Sequence, residues 1–222
     1  FLEKSLNAII EYKVDQIDTY YLIEKIESLT LFSKTLIEKE LERFTGNIGI
    51  GCISDYEPQP LLFSSHLGSF AIATVGRCTN IKELKQSCFE NGITHFSEMS
   101  GGEINITELM AAIITQKPTI LEGLIHLHEV VRGTMSVLVM TREGIYCSRD
   151  KLGRLPVIIG KKEDAYCVTF ESSAYLNLGY TYVCDLGPGE VVSITADSLV
   201  KEKEPNKEMK MCSFLWTYYG YP

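Results

Sequence analysis

A succession of short runs rich in β-branched and aromatic residues fills the second half of the chain: Thr134 to Thr141, Gly144 to Ser148, Val157 to Gly160, Tyr166 to Glu171, Tyr182 to Asp185 and Glu190 to Thr195. Runs this short, bounded by Gly- and Pro-bearing turns, read as strands. They follow two stretches with helical spacing, about Thr107 to Gln116 and Thr119 to Arg132, divided by Pro118, which has no N–H to continue a helix. Earlier in the chain, Ile48 to Ser54 and Leu61 to Val75 also read as strands, the second bent at His66 to Gly68. Strands, a pair of helices and then a run of strands with tight turns do not fit alternating βαβ units; the pattern implies a layered α+β fold.

Residues 1 to 45 carry apolar positions at helical intervals (Leu2, Leu6, Ile9, Ile10, Leu36, Leu41) among Glu and Lys. This predicts a helical lead-in of one or two amphipathic helices, ended by Thr45-Gly46-Asn47. Asn80 reads as a helix N-cap with Glu83 three residues on as its capping-box partner, and Asn91-Gly92 as the stop. Residues 46–200 then form the main domain. Residues 201–222 form a charged link, Lys201 to Lys210, and the aromatic start of a further packed region, Cys212 to Pro222.

Bulk properties narrow the function. The net charge of -8 repels phosphate backbones, and the Lys-rich stretches are interleaved with acids, so no nucleic acid is expected as a partner. No apolar run approaches the roughly 20 residues that span a bilayer, so no membrane is expected either. The 7 cysteines are odd in number and lack a C-x-x-C pair, which reads as reduced thiols of a cytoplasmic protein. His126 and His128 are two apart and diverge on a helix, so they read as ordinary helix-surface residues. No metal and no cofactor are expected.

Taken singly, the chemical candidates are modest. Gly76, between a strand and a helix, has backbone that suits an oxyanion or an ordinary turn. Asp150 lies in the constrained turn Arg149 to Pro156, where structural duty is the simpler reading. Glu171-Ser172-Ser173 has no histidine nearby in sequence to activate a serine. Asp55, Glu57 and Glu98 are scattered carboxylates, and Gly101-Gly102 lacks the context of a phosphate cradle.

The order of short motifs adds a resemblance that covers Gly46 to Pro222. Gly46-Asn47-Ile48-Gly49-Ile50-Gly51 is similar to G-N-I-G-I-G-H, and Gln59-Pro60 to the N-x-Q-P that follows it in the glutaminase domain of the amidophosphoribosyltransferase family. Gly133-Thr134-Met135-Ser136-Val137-Leu138 resembles that family's G-A-Y-S-L. Arg149-Asp150 with Gly153 and Pro156 resembles R-D-P-x-G-x-R-P, Glu171-Ser172 resembles S-E-S, and Pro188-Gly189-Glu190 resembles P-G-E. Cys212-Ser213-Phe214 with Tyr218, Tyr219 and Pro222 is similar to the junction leading into the family's phosphoribosyltransferase domain.

The resemblance implies an N-terminal-nucleophile hydrolase-like four-layer αββα sandwich, in which an N-terminal cysteine attacks the glutamine amide and ammonia passes to the transferase domain in purine biosynthesis. It also implies glutamine or another small molecule, a C-terminal phosphoribosyltransferase-like domain and further copies of the chain as partners. The departures concern chemistry. No C-G-[IL]-x-G start occurs in the residues given, so no catalytic residue is assigned. The family's substrate-carboxylate arginine aligns with Ser54, and its H-N-G-N aligns with Thr74-Val75-Gly76-Arg77, which keeps Gly76 but puts Val75 in place of a side-chain donor. Its S-D-T-E, whose Asp holds the substrate ammonium, aligns with Asn105-Ile106-Thr107-Glu108. Ser54, Val75, Gly76, Ile106, Thr107 and Glu108 are therefore degenerate substrate positions, and the expected function is a scaffold or regulatory module that does not hydrolyse glutamine. The alternative is an active glutaminase with an N-terminal cysteine and a substitute for the lost clamp.

Overall fold

The computed structural model describes residues 6–12, 20–24, 46–54, 57–97, 99–100, 102–163, 165–195, 197–213 and 217. Where the helical lead-in is expected, it has strands. β1 (Leu6–Tyr12) and β2 (Tyr20–Glu24) pair antiparallel, and β1 also pairs with β3 (Ile48–Ile53), giving a sheet in the order β2-β1-β3. Leu6, Ile9 and Ile10 are helically spaced, but a run of seven residues with Leu6, Ala8, Ile10 and Tyr12 at every second position satisfies the strand period equally well. Pairing decides between them: Ile10 lies opposite Leu22 on one side and Ile50 on the other. The remaining positions of the expected lead-in, including Leu2, Leu36 and Leu41, lie outside the described residues.

The stretch read as one bent strand is a hairpin, β4 (Leu61–Ser65) and β5 (Gly68–Cys78), with Ser65 opposite Gly68. A small ribbon follows, β6 (Met99–Ser100) and β7 (Glu103–Ile104). The strands of the second half fall close to their expected places: β8 (Gly133–Met140), β9 (Ile145–Ser148), β10 (Ile158–Lys162), β11 (Ala165–Thr169), β12 (Thr181–Asp185) and β13 (Val191–Ile194). The charged link does not begin at Lys201, because Leu199–Lys203 is an edge strand, β14, paired with β13. Lysines on an edge strand discourage further pairing, so the charge here belongs to a strand.

β14-β13-β9-β8-β5-β4 form one six-stranded sheet, and β11-β10-β12 a three-stranded one. Strand alternation builds the two cores. Phe70, Ile72, Met135, Val137 and Val139 of β5 and β8 face the helices, while Ala71, Ala73, Leu138 and Met140 of the same strands face Ile50 of β3 and Ile159 of β10. Sheet thus packs on sheet, with helices on the outer face of the larger one, which is the layering expected.

The helical layer consists of α1 (Ile81–Glu90), α2 (Ile106–Ile114) and α3 (Ile120–Val130). The short α4 (Ser172–Asn177) packs against β11 and β12. α2 is the central helix, with Thr107 through Ile114 all buried. The capping-box expectation at Asn80 is corrected. The Asn80 side chain makes no cap bond; its Oδ1 accepts from Arg132 N (2.9 Å), its Nδ2 donates to Val130 O (3.0 Å), and Glu83 pairs with Arg132. Side-chain caps sit instead on α2 and α3, where Asn105 accepts from Glu108 N and Thr119 from Glu122 N, both at 3.1 Å.

Candidate functional site

The N-terminus of α2 points at the end of β3 and the middle of β5, and one hydrogen-bonded network joins them. Ser54, just after β3, donates from Oγ to Glu57 O (2.8 Å) and accepts from Glu57 N (3.3 Å), closing a tight turn. That turn delivers the Glu57 carboxylate, 8% exposed, to α2: Oε2 accepts from Ile106 N (2.7 Å) and Oε1 from Thr107 Oγ1 (2.9 Å). A carboxylate suits this place because the first helical N–H groups have no partner within the helix and carry partial positive charge.

Two residues on, Gln59 Oε1 accepts from Thr74 N (2.8 Å), while the Thr74 and Thr107 hydroxyls are 2.7 Å apart. The hydroxyl of Thr107 has one hydrogen. With that hydrogen on Glu57, Thr74 donates to Thr107, and the order of donation runs from β5 to α2 to the turn. Asn105 completes the joint, its Nδ2 donating to Pro58 O (2.9 Å).

Of the positions marked in the sequence, the network joins Ser54, Ile106 (through its backbone) and Thr107. It does not include the Glu108 side chain, which turns away to accept from Ser97 N (2.8 Å). The Ile106 side chain packs against the helical core cluster. Val75 and Gly76 lie further along β5, opposite Ser136 and Met135. Gly76 has φ +147°, and a Cβ there would stand 2.1 Å from Thr134 O, so only glycine fits. Arg77 N turns toward β8, donating to Thr134 Oγ1 (3.2 Å), and Thr74 N turns away to Gln59. Alternation therefore directs Gly76 N–H to the Thr74 side, beyond the β4 pairing that ends at Ile72.

Cys52 of β3 lies near this network. Burial, and secondarily the Glu57 carboxylate, push its thiol up to about 11. Among the carboxylates weighed with Glu57, Asp55 and Glu98 lie outside the described residues, as does Gly101. Asp150 is structural: its two oxygens accept from Leu152 N (3.1 Å) and Leu155 N (3.0 Å). The Arg149 guanidinium donates to the carbonyls of Leu155, Gly153 and Leu186. Glu171 precedes α4 without a side-chain cap bond.

His128 is not a helix-surface residue. Its Nε2 lies 2.8 Å from Ser148 Oγ, and its Nδ1 is buried without a hydrogen-bond partner. His126, two residues before, lies 3.4 Å from Glu129. Among the described residues no group of three or more His, Cys, Asp or Glu is arranged to hold a metal ion, and no helix is long and apolar enough to cross a membrane. The contribution of Glu57 was out of reach of sequence reasoning, because its partners Ile106 and Thr107 are about fifty residues away in the chain.

Residues 27–177 match the family described as the glutamine amidotransferase domain. Amidophosphoribosyltransferase of Bacillus subtilis is 29% identical over 204 residues, covering 86% of this chain and 42% of the relative. That of Synechocystis is 27% identical over 208 residues, covering 88% and 42%. The chain thus spans about two fifths of the length of the curated relatives it matches. In structure it is similar to glutamine phosphoribosylpyrophosphate amidotransferase from B. subtilis complexed with ADP and GMP, with a TM-score of 0.81 at 24% identity over 99% of this chain and 47% of that one. The chain therefore belongs to the glutamine amidotransferase domain family, has the N-terminal-nucleophile hydrolase-like fold, and is homologous to the glutaminase domain of amidophosphoribosyltransferases.

Proposed function

We propose that this domain does not hydrolyse glutamine and acts as a scaffold or regulatory module within an amidophosphoribosyltransferase-like protein of purine biosynthesis, in the cytoplasm. The observation that carries the reading is the Glu57 carboxylate on Ile106 N and Thr107 Oγ1. The donors at the head of α2 are already taken by the chain itself, at the positions where the resemblance expects contacts to substrate. Ile106 replaces a carboxylate that would pair with an ammonium group, and Val75 replaces an amide donor, a kind of loss that costs on the order of a hundredfold or more in rate. Gly76 is kept because β8 leaves no room for a Cβ, so its presence has a structural explanation that requires no catalysis. The reading includes a transferase-like domain elsewhere in the protein and association with further copies, in line with the greater length of the relatives.

The test is release of glutamate and ammonia from glutamine by the full gene product with a verified N-terminus, beside an active relative. No turnover in folded protein is expected. Turnover comparable to that of the relative would overturn the proposal and make the domain a working glutaminase.

A further inference from the structure

Two glycine-bearing turns of the six-stranded sheet meet at a single carbonyl. Gly153 N, in the loop after β9, and Gly189 N, in the turn before β13, both donate to Asp150 O at 2.9 Å. Gly153 has φ +67° and Gly189 φ +64°, in the left-handed region that glycine enters without steric cost. The paired turns thereby offer a surface of bare backbone.

Residues 205–210 lie across both turns. Asn206 N donates to Pro188 O (2.7 Å), Asn206 Nδ2 to Lys151 O (3.0 Å) and Lys210 N to Leu152 O (2.8 Å). The seat depends on missing side chains beneath it: a Cβ on Gly187 would stand 2.4 Å from Pro205 Cβ, and one on Gly189 2.5 Å from Asn206 Nδ2. Met209 lies over Gly153, with its Cγ 3.4 Å from where a Cβ would be. Lys203 Nζ, at the end of β14, donates to Gly189 O (2.6 Å) and fixes where the segment begins. A stretch with the composition of a solvated link is thus bound by its backbone near both ends.

The same segment has no buried anchor. Every residue from Glu204 to Met211 is exposed, so hydrogen bonds to the two turns and the close contacts over their glycines hold it in place. Lifting such a segment uncovers little apolar surface, and it therefore opens at far lower cost than the sheet on which it lies.

We propose that residues 205–210 form a releasable strap: seated across the two turns, it fixes where the chain after Lys210 leaves the domain, and lifted, it frees that direction while the sheets stay folded. What the strap orients is the transferase-like domain of the proposed scaffold, and on that reading this step rests. Gly187→Ala and Asn206→Ala test it. The Gly187 backbone lies outside the left-handed region, so alanine there is opposed chiefly by Pro205. In the wild-type chain, the Asn206 and Lys210 amides should exchange about a hundredfold more slowly than free peptide, and trypsin should spare Lys207 and Lys210. Each variant should lose about tenfold of that protection and be cut about tenfold faster at those lysines, with the β9 and β13 amides unchanged. In the full gene product, the same variants should broaden the distance distribution from small-angle X-ray scattering. Unprotected Asn206 and Lys210 amides in the wild type, variants with wild-type protection, opening of β9 and β13 together with the strap, or release with unchanged scattering would each overturn the strap. Glutamine turnover is not among the readouts, so the strap and the scaffold reading fail separately.

Discussion

Removing the Glu57 carboxylate exposes the energetics of the joint between the 54–60 turn and α2. The carboxylate accepts two hydrogen bonds, from Ile106 N at 2.7 Å and Thr107 Oγ1 at 2.9 Å, in a site where Glu57 is 8% exposed and Thr107 is 0% exposed. Bonds to a charged acceptor contribute about 1.5–3 kcal/mol each, and a buried donor left unpaired forfeits its desolvation energy as well. Glu57→Ala should therefore cost about 3–5 kcal/mol, a large part of the roughly 5–15 kcal/mol that keeps a domain folded. Glu57→Gln keeps one acceptor but turns an NH₂ toward the second donor, so it should cost less, about 1–2 kcal/mol. Urea unfolding followed by far-ultraviolet circular dichroism reads both, with an unchanged m-value expected. Thr107→Val closes a double-mutant cycle, and a coupling of about 1–2 kcal/mol with Glu57→Ala is expected for groups in direct contact. If Glu57→Ala lay within about 0.5 kcal/mol of wild type, or the cycle were additive, the network would not hold α2 as argued.

Three further outcomes follow from the same geometry. Since His128 is held neutral down to about 4 against 6.5 in the unfolded chain, its contribution to stability is complete above pH 6.5 and lost as pH falls toward 4, about 3 kcal/mol in all; His128→Gln should remove that part of the acid slope in urea titrations. Cys52 should react slowly with iodoacetamide at pH 8, and Glu57→Gln should speed it by withdrawing a negative neighbour, although burial, the larger cause, should keep the thiol above its ordinary value; an unchanged rate in folded protein would contradict the proximity of the two groups. Gly123→Ala places a Cβ 2.6 Å from Ile114 O, where α3 meets α2, so thermal melting should show a net loss of about 1–2 kcal/mol despite the better helix propensity of alanine; a rise in Tm would refute the close approach.

Local pattern was a good guide wherever the signal was local. The strands from β8 to β13 and the break at Pro118 are legible because β-branched runs, turn residues and a missing N–H act within a few positions. It misled where two periods fit one stretch. Leu6, Ile9 and Ile10 suit either element, and the pairing of β1 with both β2 and β3 settles it as strand. The same sequence signature, Asn or Thr with Glu three residues later, occurs at Asn80, Asn105 and Thr119. Asn80 is drawn away by Val130 and Arg132, whereas Asn105 remains to cap α2.

The sequence by itself determined the kind of layers and the family, because periodicity and ordered motifs are properties of the chain. Only the tertiary structure decided that Glu57 caps α2, that Glu108 turns to Ser97 and that the His128 ring meets Ser148. Each of these depends on which distant backbone group is within hydrogen-bond reach, and spacing along the chain contains no record of that distance.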